Sequence, residues 1–492
     1  MKQLLIALAV LLPAAVVFAQ AKPAADPVKT LAELINSDDE QIAGATLLAL
    51  RATEDKDLKV LLEALARSGD KQRRLFATAS SGTLLKDGAK DLLGERLKSD
   101  PSMTIRAEAL VALLGLKLAT DEQLLDALRT DDESVQCIAA RALAAKGKFD
   151  AARATLERLA KSTDLATKHM SQMSLLANGQ SQHLPALRKV LADRNTSDEL
   201  MVLLLEQAGE EKVAPARGAL REALKTQSDP MVRVRIYRSL AAIDPSVCQE
   251  VVKLAAKSSD TIFCTYMIQL LGNQKDRDAL LAQLAAAKNS AGVLARFELE
   301  RLDKVKGTPA IEKALALKHP IVIDYVISAL DRDVQAHGQA VDTAVPGLLA
   351  FIESVSTDVE RMQPEHFRAA QAARVLTDLG TPRAIEGLSG ILSGRYNAVV
   401  RAAAAGVSKS RNAQAACLLA KPLLKRPYQE LSSGATLTLG RFGDKSAVKP
   451  LNALIQDARH QPPPLVALAC WYSLKLQGQS KQAAAELAAK VK

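Results

Sequence analysis

The side chains able to do acid–base, nucleophilic or metal chemistry are few in this 492-residue sequence: six histidines and five cysteines. His169, His183, His319, His337, His366 and His460 are scattered along it. No HExxH, CxxC, GxSxG, GxxxxGK or EF-hand pattern sets a ligand, nucleophile or phosphate cradle at a working spacing. One window gathers ligand types, namely His337, Asp342, Asp358, Glu360, Glu365 and His366. Imidazoles and carboxylates suit a divalent metal when the fold brings them together. No fixed spacing relates these residues, so neither a metal nor another cofactor is expected, and no catalytic set follows from residue order.

Cys137, Cys264, Cys417 and Cys470 lie in apolar helical contexts such as "VQCIAARAL" and "LACWYSL". Small buried thiols are the expected reading. Cys248 and Cys264 stand on either side of a turn near Ser258. At 1.5 Å per residue they are offset by roughly 7 Å along the helix axes, which argues against a disulfide. A different chemistry is open to "RVRIYRSL", where Arg233, Arg235 and Arg238 crowd one helix. They form the candidate basic patch, suited to an acidic protein segment or an anionic polymer.

These groups must be held by helices. The chain is 48% hydrophobic but only 3% aromatic, with Ala and Leu as its main apolar mass. Such residues favour helix and close helix packing, and alternating β-branched runs are scarce. The expected class is all-α. The formal charge of +10 comes from 65 basic and 55 acidic residues, a modest pull toward acidic partners.

The chain opens "MKQLLIALAVLLPAAVVFAQAKPAADP". Lys2, an uncharged run from Leu4 to Phe18 and small residues after it read as a secretory signal peptide over residues 1–21. The run is short for a span of about 20 residues, and no Cys follows it for a lipid anchor. Residues 22–27 read as a disordered lead. The mature chain is expected in the periplasm or secreted, with no later membrane span.

Beyond the leader one stencil recurs. "LGTPRAIEGLSGIL" and "LGRFGDKSAVKPLNALI" place Val448 63 residues after Ile385, with Cys417 between them at steps of 32 and 31. Asp39, Asp70, Asp100, Asp132, Asp164, Asp198, Asp229 and Asp260 follow at steps of 31, 30, 32, 32, 34, 31 and 31. A fixed period in this range is the signature of stacked helical repeats. About 14 antiparallel helix pairs with a period of about 31 residues are expected over residues 28–478, as one α-solenoid. An Ala-rich helix over 479–492 would close the stack. Near 331–366 the step grows to about 45 residues, an insertion that emerges from such a stack as a loop or a longer helix.

"DPSMTIRAEALVAL", "DPMVRVRIYRSL" and "YNAVVRAAAAGV" carry the pattern Asp-x-x-Val-Arg-x-x-Ala-x-x-x-Leu best. The pattern resembles HEAT repeats, especially the short HEAT-like type first associated with phycobilisome lyases. The resemblance implies that Arg106, Arg233, Arg368 and Arg401, with the loop Asp, tie neighbouring repeats together. Gln136, Cys264, Asp324 and Ser432 in the Arg position would then make the ladder irregular. Hydroxylases of similar architecture carry repeated His-Glu dipeptides, whereas this chain has only the reversed Glu365-His366. One Trp, few aromatics and export argue against nucleic acid. The expected role is an exported protein–protein interaction scaffold and not an enzyme. The alternative is a periplasmic enzyme or accessory subunit, lyase-like or metal-dependent, on the same repeats.

Overall fold

Carboxylates start the helices. The computed structural model describes residues 26–193, 195–302, 309–337, 344–357 and 363–491. Asp39, Asp132, Asp229 and Asp260 each accept two backbone N–H groups at the start of the helix that follows. Asp70 and Asp164 accept from Arg73 and Thr167. Free N–H groups at a helix start need such acceptors. Two anchors differ in detail. Asp100 accepts from the backbone N of Ser102 at 2.9 Å, and Ser197 caps the helix that Asp198 begins.

The described residues form fourteen helix pairs, from Pro27–Ile35 with Glu40–Arg51 to Val448–Gln456 with Pro463–Leu476. One further helix, Ser480–Lys490, follows, and among the described residues every regular element is helical. None is long and apolar enough to cross a membrane. The expected leader, residues 1–21, lies outside the described residues. Of the lead expected over residues 22–27, only 26 and 27 are described: Asp26 caps the first helix and Pro27 opens it, because Pro fits a first turn where its missing N–H costs nothing. The 331–366 window is described only in part, and its described start lies in the 18-residue helix Pro320–His337.

The turns leaving the first six second helices share one feature. Glu54, Lys86, Lys117, Gly147, Gly179 and Lys212 have φ of 51°, 49°, 60°, 77°, 87° and 49°. They follow one another at steps of 32, 31, 30, 32 and 33 residues. A left-handed residue ends a helix by turning its last carbonyls onto the next N–H groups. Glycine does this without a Cβ penalty, and lysine pays one.

The pairs pack into two compact units, one comprising the described residues up to Arg96 together with Leu348 onward, the other Leu97–Gly347. In the second unit Asp198–Glu210 lies on Pro230–Ile243, which lies on Thr261–Gly272. In the first, Pro364–Leu379 lies on Ala398–Ser408. They approach so closely there that a Cβ on Gly406 would fall 2.2 Å from the Ala370 carbonyl oxygen.

The first unit also brings the first and last described helices together. Pro463–Leu476 packs on Glu40–Arg51 and Pro27–Ile35. Ser480–Lys490, expected as a terminal cap, packs against both Pro27–Ile35 and Lys59–Ala66. Leu31, Leu65, Trp471, Ala484 and Leu487 are buried. Polar groups fix the register. The Trp471 indole N–H donates to Asp55 at 3.2 Å, and the Lys475 ammonium lies 2.9 Å from the same carboxylate. Ser480 donates to Asp57 at 2.7 Å, and the Asn36 amide donates to the Lys490 carbonyl at 2.9 Å. Burial opposes the charge on Asp55. Hydrogen bonds from Lys475, the Asp57 backbone and Trp471, with the Lys475 charge, nonetheless hold its carboxyl below 3.8.

Two outcomes are expected. Gly147→Ala should cost about 1 kcal/mol in urea unfolding, while Lys117→Gly should stabilise by up to a similar amount. No atom lies within 4 Å of a Cβ built on Gly147, so the loss is backbone strain alone. Asp55 titrates lower folded than unfolded. Its contribution is present in full above its unfolded value of about 4 and fades as acid carries the pH down through the depressed one. Asp55→Asn should lower stability at pH 7 and flatten the acid limb of the stability curve. Parallel curves for the two proteins between pH 7 and 3 would contradict this.

Candidate functional site

The three arginines singled out by sequence sit on Pro230–Ile243, which Asp229 caps and Pro230 opens. At 100° per residue Arg233 lies on the far side of the helix from Arg235, while Arg235 and Arg238, three apart, are neighbours. Arg233 turns back into its own helix pair. Its guanidinium donates to the carbonyls of Leu224 at 2.7 Å and Gln227 at 3.2 Å. Arg235 reaches the preceding repeat and pairs with Glu206 at 3.2 Å. Arg238 is exposed. The close fit of Gly209 on Ser239, 3.3 Å from a Cβ on Gly209 to the Ser239 Cα, brings those two helices alongside. The patch therefore reduces to Arg235 and Arg238, with Glu206 beside them.

Three other turns use the same device as Arg233. Four residues after a capping Asp, a donor returns to carbonyls at the end of the first helix or in the turn. Arg74 donates to Ser68 and Gly69 at 3.0 and 2.9 Å. Gln136 donates to Thr130. The Cys264 thiol reaches Ala255 and Ser258, both at 3.7 Å. Gln136 and Cys264 thus fill the Arg position without breaking the ladder, since any donor of suitable reach satisfies an orphan carbonyl. Links between repeats come from Arg106, 3.0 Å from Asp131, and Arg401, 2.8 Å from Glu430.

Beside the arginine helix, a polar cleft of about 200 Å³ opens between the turns of two pairs, lined by Asp193, Thr196, Asp198, Gln227, Ser228 and Asp229 among others. Asp229 is engaged in capping, and Asp193 accepts from the Asn195 backbone at 2.9 Å.

Of the ligand types in the 331–366 window, Asp342, Asp358, Glu360 and the side chain of His337 lie outside the described residues. Glu365 is exposed. His366 is fully buried, and both its nitrogens are used. Its Nδ1 accepts from the Gln363 backbone N–H at 2.9 Å, so Nε2 carries the proton and donates to the Ser356 carbonyl at 2.9 Å. It caps a helix. Among the described residues no three His, Cys, Asp or Glu side chains gather as a metal-binding group. The five cysteines are free, and burial raises the thiols of Cys137, Cys248 and Cys417 and pushes Cys470 up to about 12.

Sequence reasoning missed one buried ionic cluster. Glu298, 2% exposed, accepts from the Tyr325 hydroxyl and pairs with Arg301, which also holds Asp333 at 2.6 Å. Burial and the Glu298 charge push the Tyr325 phenol well above 10. The i,i+3 spacing of Glu298 and Arg301 was the only signal available. The cluster ties Pro320–His337 to Ser290–Leu302.

Paired helices at this period form stacked helical repeats, with an Asp cap and a returning donor in the turns of Asp70, Asp132, Asp229 and Asp260. The chain is similar in structure to the CpcE–CpcF complex of phycocyanin lyase from Nostoc sp. PCC7120, at 19% identity over 55% of this chain and 93% of that one, TM-score 0.28. It is similar to UNC-45 from Drosophila melanogaster at 12% identity over 94% and 77%, TM-score 0.30. It is similar to Kap121p at 14% identity over 93% of this chain and 56% of that chain, TM-score 0.32. No family profile matches the sequence, and no curated protein does. The repeat class rests on the chain's own helix pairs.

His366→Ala should strand a buried N–H and a carbonyl and cost on the order of 2–4 kcal/mol. Thermal melts with and without a chelator test the role. A capping histidine predicts the same loss in both and a wild-type midpoint unmoved by chelation.

Proposed function

We propose that this chain is an exported scaffold that binds other proteins through exposed positions of its stacked helix pairs, without catalysing a reaction. The observation that carries the reading is the division of labour along Pro230–Ile243. Positions such as Arg233 are consumed by the turn, while Arg235 and Arg238 stand about one helical turn apart on one helix, toward solvent. Neighbouring helix axes lie about 8–10 Å apart, so exposed positions of successive helices lie within reach of one protein surface. Burying aromatic and Arg side chains at the centre of a contact supplies most of the binding energy of protein interfaces. The leader over residues 1–21 supports export to the periplasm or beyond. The excess of 65 basic over 55 acidic residues favours partners with acidic segments.

Crosslinking the tagged full-length protein in its native cell envelope should capture specific proteins from the exported fraction. Arg235→Glu with Arg238→Glu should reduce that capture several-fold, whereas Arg233→Glu should act mainly by lowering thermal stability. An unchanged capture profile for the Arg235/Arg238 double variant would remove this pair from the binding surface.

A further inference from the structure

The most unusual surface feature lies in the first unit, where the turns of three successive helix pairs run side by side. Only six tyrosines occur in the chain, and two of them meet here. Tyr396 and Tyr428 stack with ring centroids 3.9 Å apart and planes 9° from parallel. Both precede second helices, Ala398–Ser408 and Gln429–Arg441, one repeat apart. Tyr428 is nonetheless 38% exposed. Stacked aromatics left at a surface are anchors without a partner.

The surroundings are cationic. The Arg426 guanidinium sits over the Tyr428 ring at 5.8 Å and donates to the carbonyls of Ser393 and Gly394 at 3.2 and 2.8 Å, locking the two turns together. Arg401 pairs with Glu430 at 2.8 Å, and the Tyr396 hydroxyl donates to the same carboxylate at 3.0 Å. That acid is therefore already engaged. Arg395 and Lys425 are exposed on the same two turns. Neither has a carboxylate partner among the described residues. In the third turn Asp457 is held by His460 at 2.6 Å and Gln461 at 2.7 Å, and Gln461 is joined to Gln429 at 3.0 Å. The acids of this edge are satisfied within it, and the unpaired charges are positive.

We infer that this Tyr396–Tyr428 edge, flanked by Arg395 and Lys425, is a docking surface for an extended acidic peptide segment of a partner protein. The inference rests on the scaffold reading and assigns it a second place. Charge complementarity sets the sign of the partner. The repeat sets its form: turns about 10 Å apart match three residues of extended chain at about 3.3 Å each. An acidic residue at every third position thus meets one turn after another, while the tyrosine pair packs against the segment between them.

The probe is a fluorescein-labelled 12-residue peptide with Glu at every third position, set against the same peptide with Gln, titrated by anisotropy into the full chain. The Glu peptide should bind more tightly than the Gln peptide and weaken with salt. Tyr428→Ala, and Arg395→Glu with Lys425→Glu, should each weaken it by about tenfold. Tyr428→Phe should keep the affinity, and Lys253→Glu with Lys257→Glu, exposed on Val247–Lys257, should leave it unchanged. Circular dichroism of each variant confirms the fold. Equal binding of the two peptides, or full affinity in a folded Tyr428→Ala protein, would overturn the assignment. So would inorganic polyphosphate that outcompetes the peptide independently of Tyr428, since the edge would then serve an anionic polymer. Failure of the scaffold reading has a different signature: no protein crosslinks to the wild-type chain in its envelope.

Discussion

Every helix pair faces the same difficulty in its turn. The first helix ends with carbonyls that have no intrahelical partner, and a few residues later the second begins with N–H groups that have none. Both sets are half covered by the neighbouring pair, where an unpaired polar group is costly. At four turns the chain answers with two residues. A capping Asp takes the N–H groups, and a donor four positions on, on the same helix face, returns to the carbonyls. Asp70 with Arg74, Asp132 with Gln136, Asp229 with Arg233 and Asp260 with Cys264 are versions of one device. Because the turn is closed locally, pairs can be added one after another.

This constraint sorts charged residues into two kinds. Arg233 and Arg74 are needed inside a pair, and their charge is spent on backbone carbonyls. Arg235, Arg238, Arg395 and Lys425 are free of that duty and face solvent or an exposed neighbour. A count of basic residues along one helix does not separate the kinds, since they differ by where on the turn each points. Buried ionic clusters form a third kind. Asp55 with Lys475 and Trp471, and Glu298 with Arg301 and Tyr325, tie specific elements to each other. Removing Arg301 would leave Glu298, 2% exposed, without its charge partner.

Much of the fold was legible before any coordinates. The Asp anchors fall on helix starts because capping is a property of neighbours in sequence, and the pair count follows from the period. Less of the site was legible. The crowding of Arg233, Arg235 and Arg238 read as one patch, but helical geometry puts Arg233 on the opposite side and its carbonyl partners hold it there. His366 read as a ligand type, but both ring nitrogens are bonded to the backbone. The Tyr396–Tyr428 stack left no signal, because the two residues are 32 apart and nothing in either turn alone calls for a partner.

The sequence by itself determined the helical class, the repeat period, the caps and the apolar stripes. Each of these arises from interactions within a few residues or from one pattern repeated. Tertiary structure alone decided that Trp471 bonds to Asp55 across 416 residues, that the last helix packs on the first ones, and which of many exposed side chains stand together. Those outcomes depend on which surfaces meet once the pairs have stacked. Sequence spacing carries no record of that, because residues far apart in the chain share no local geometry until the fold has formed.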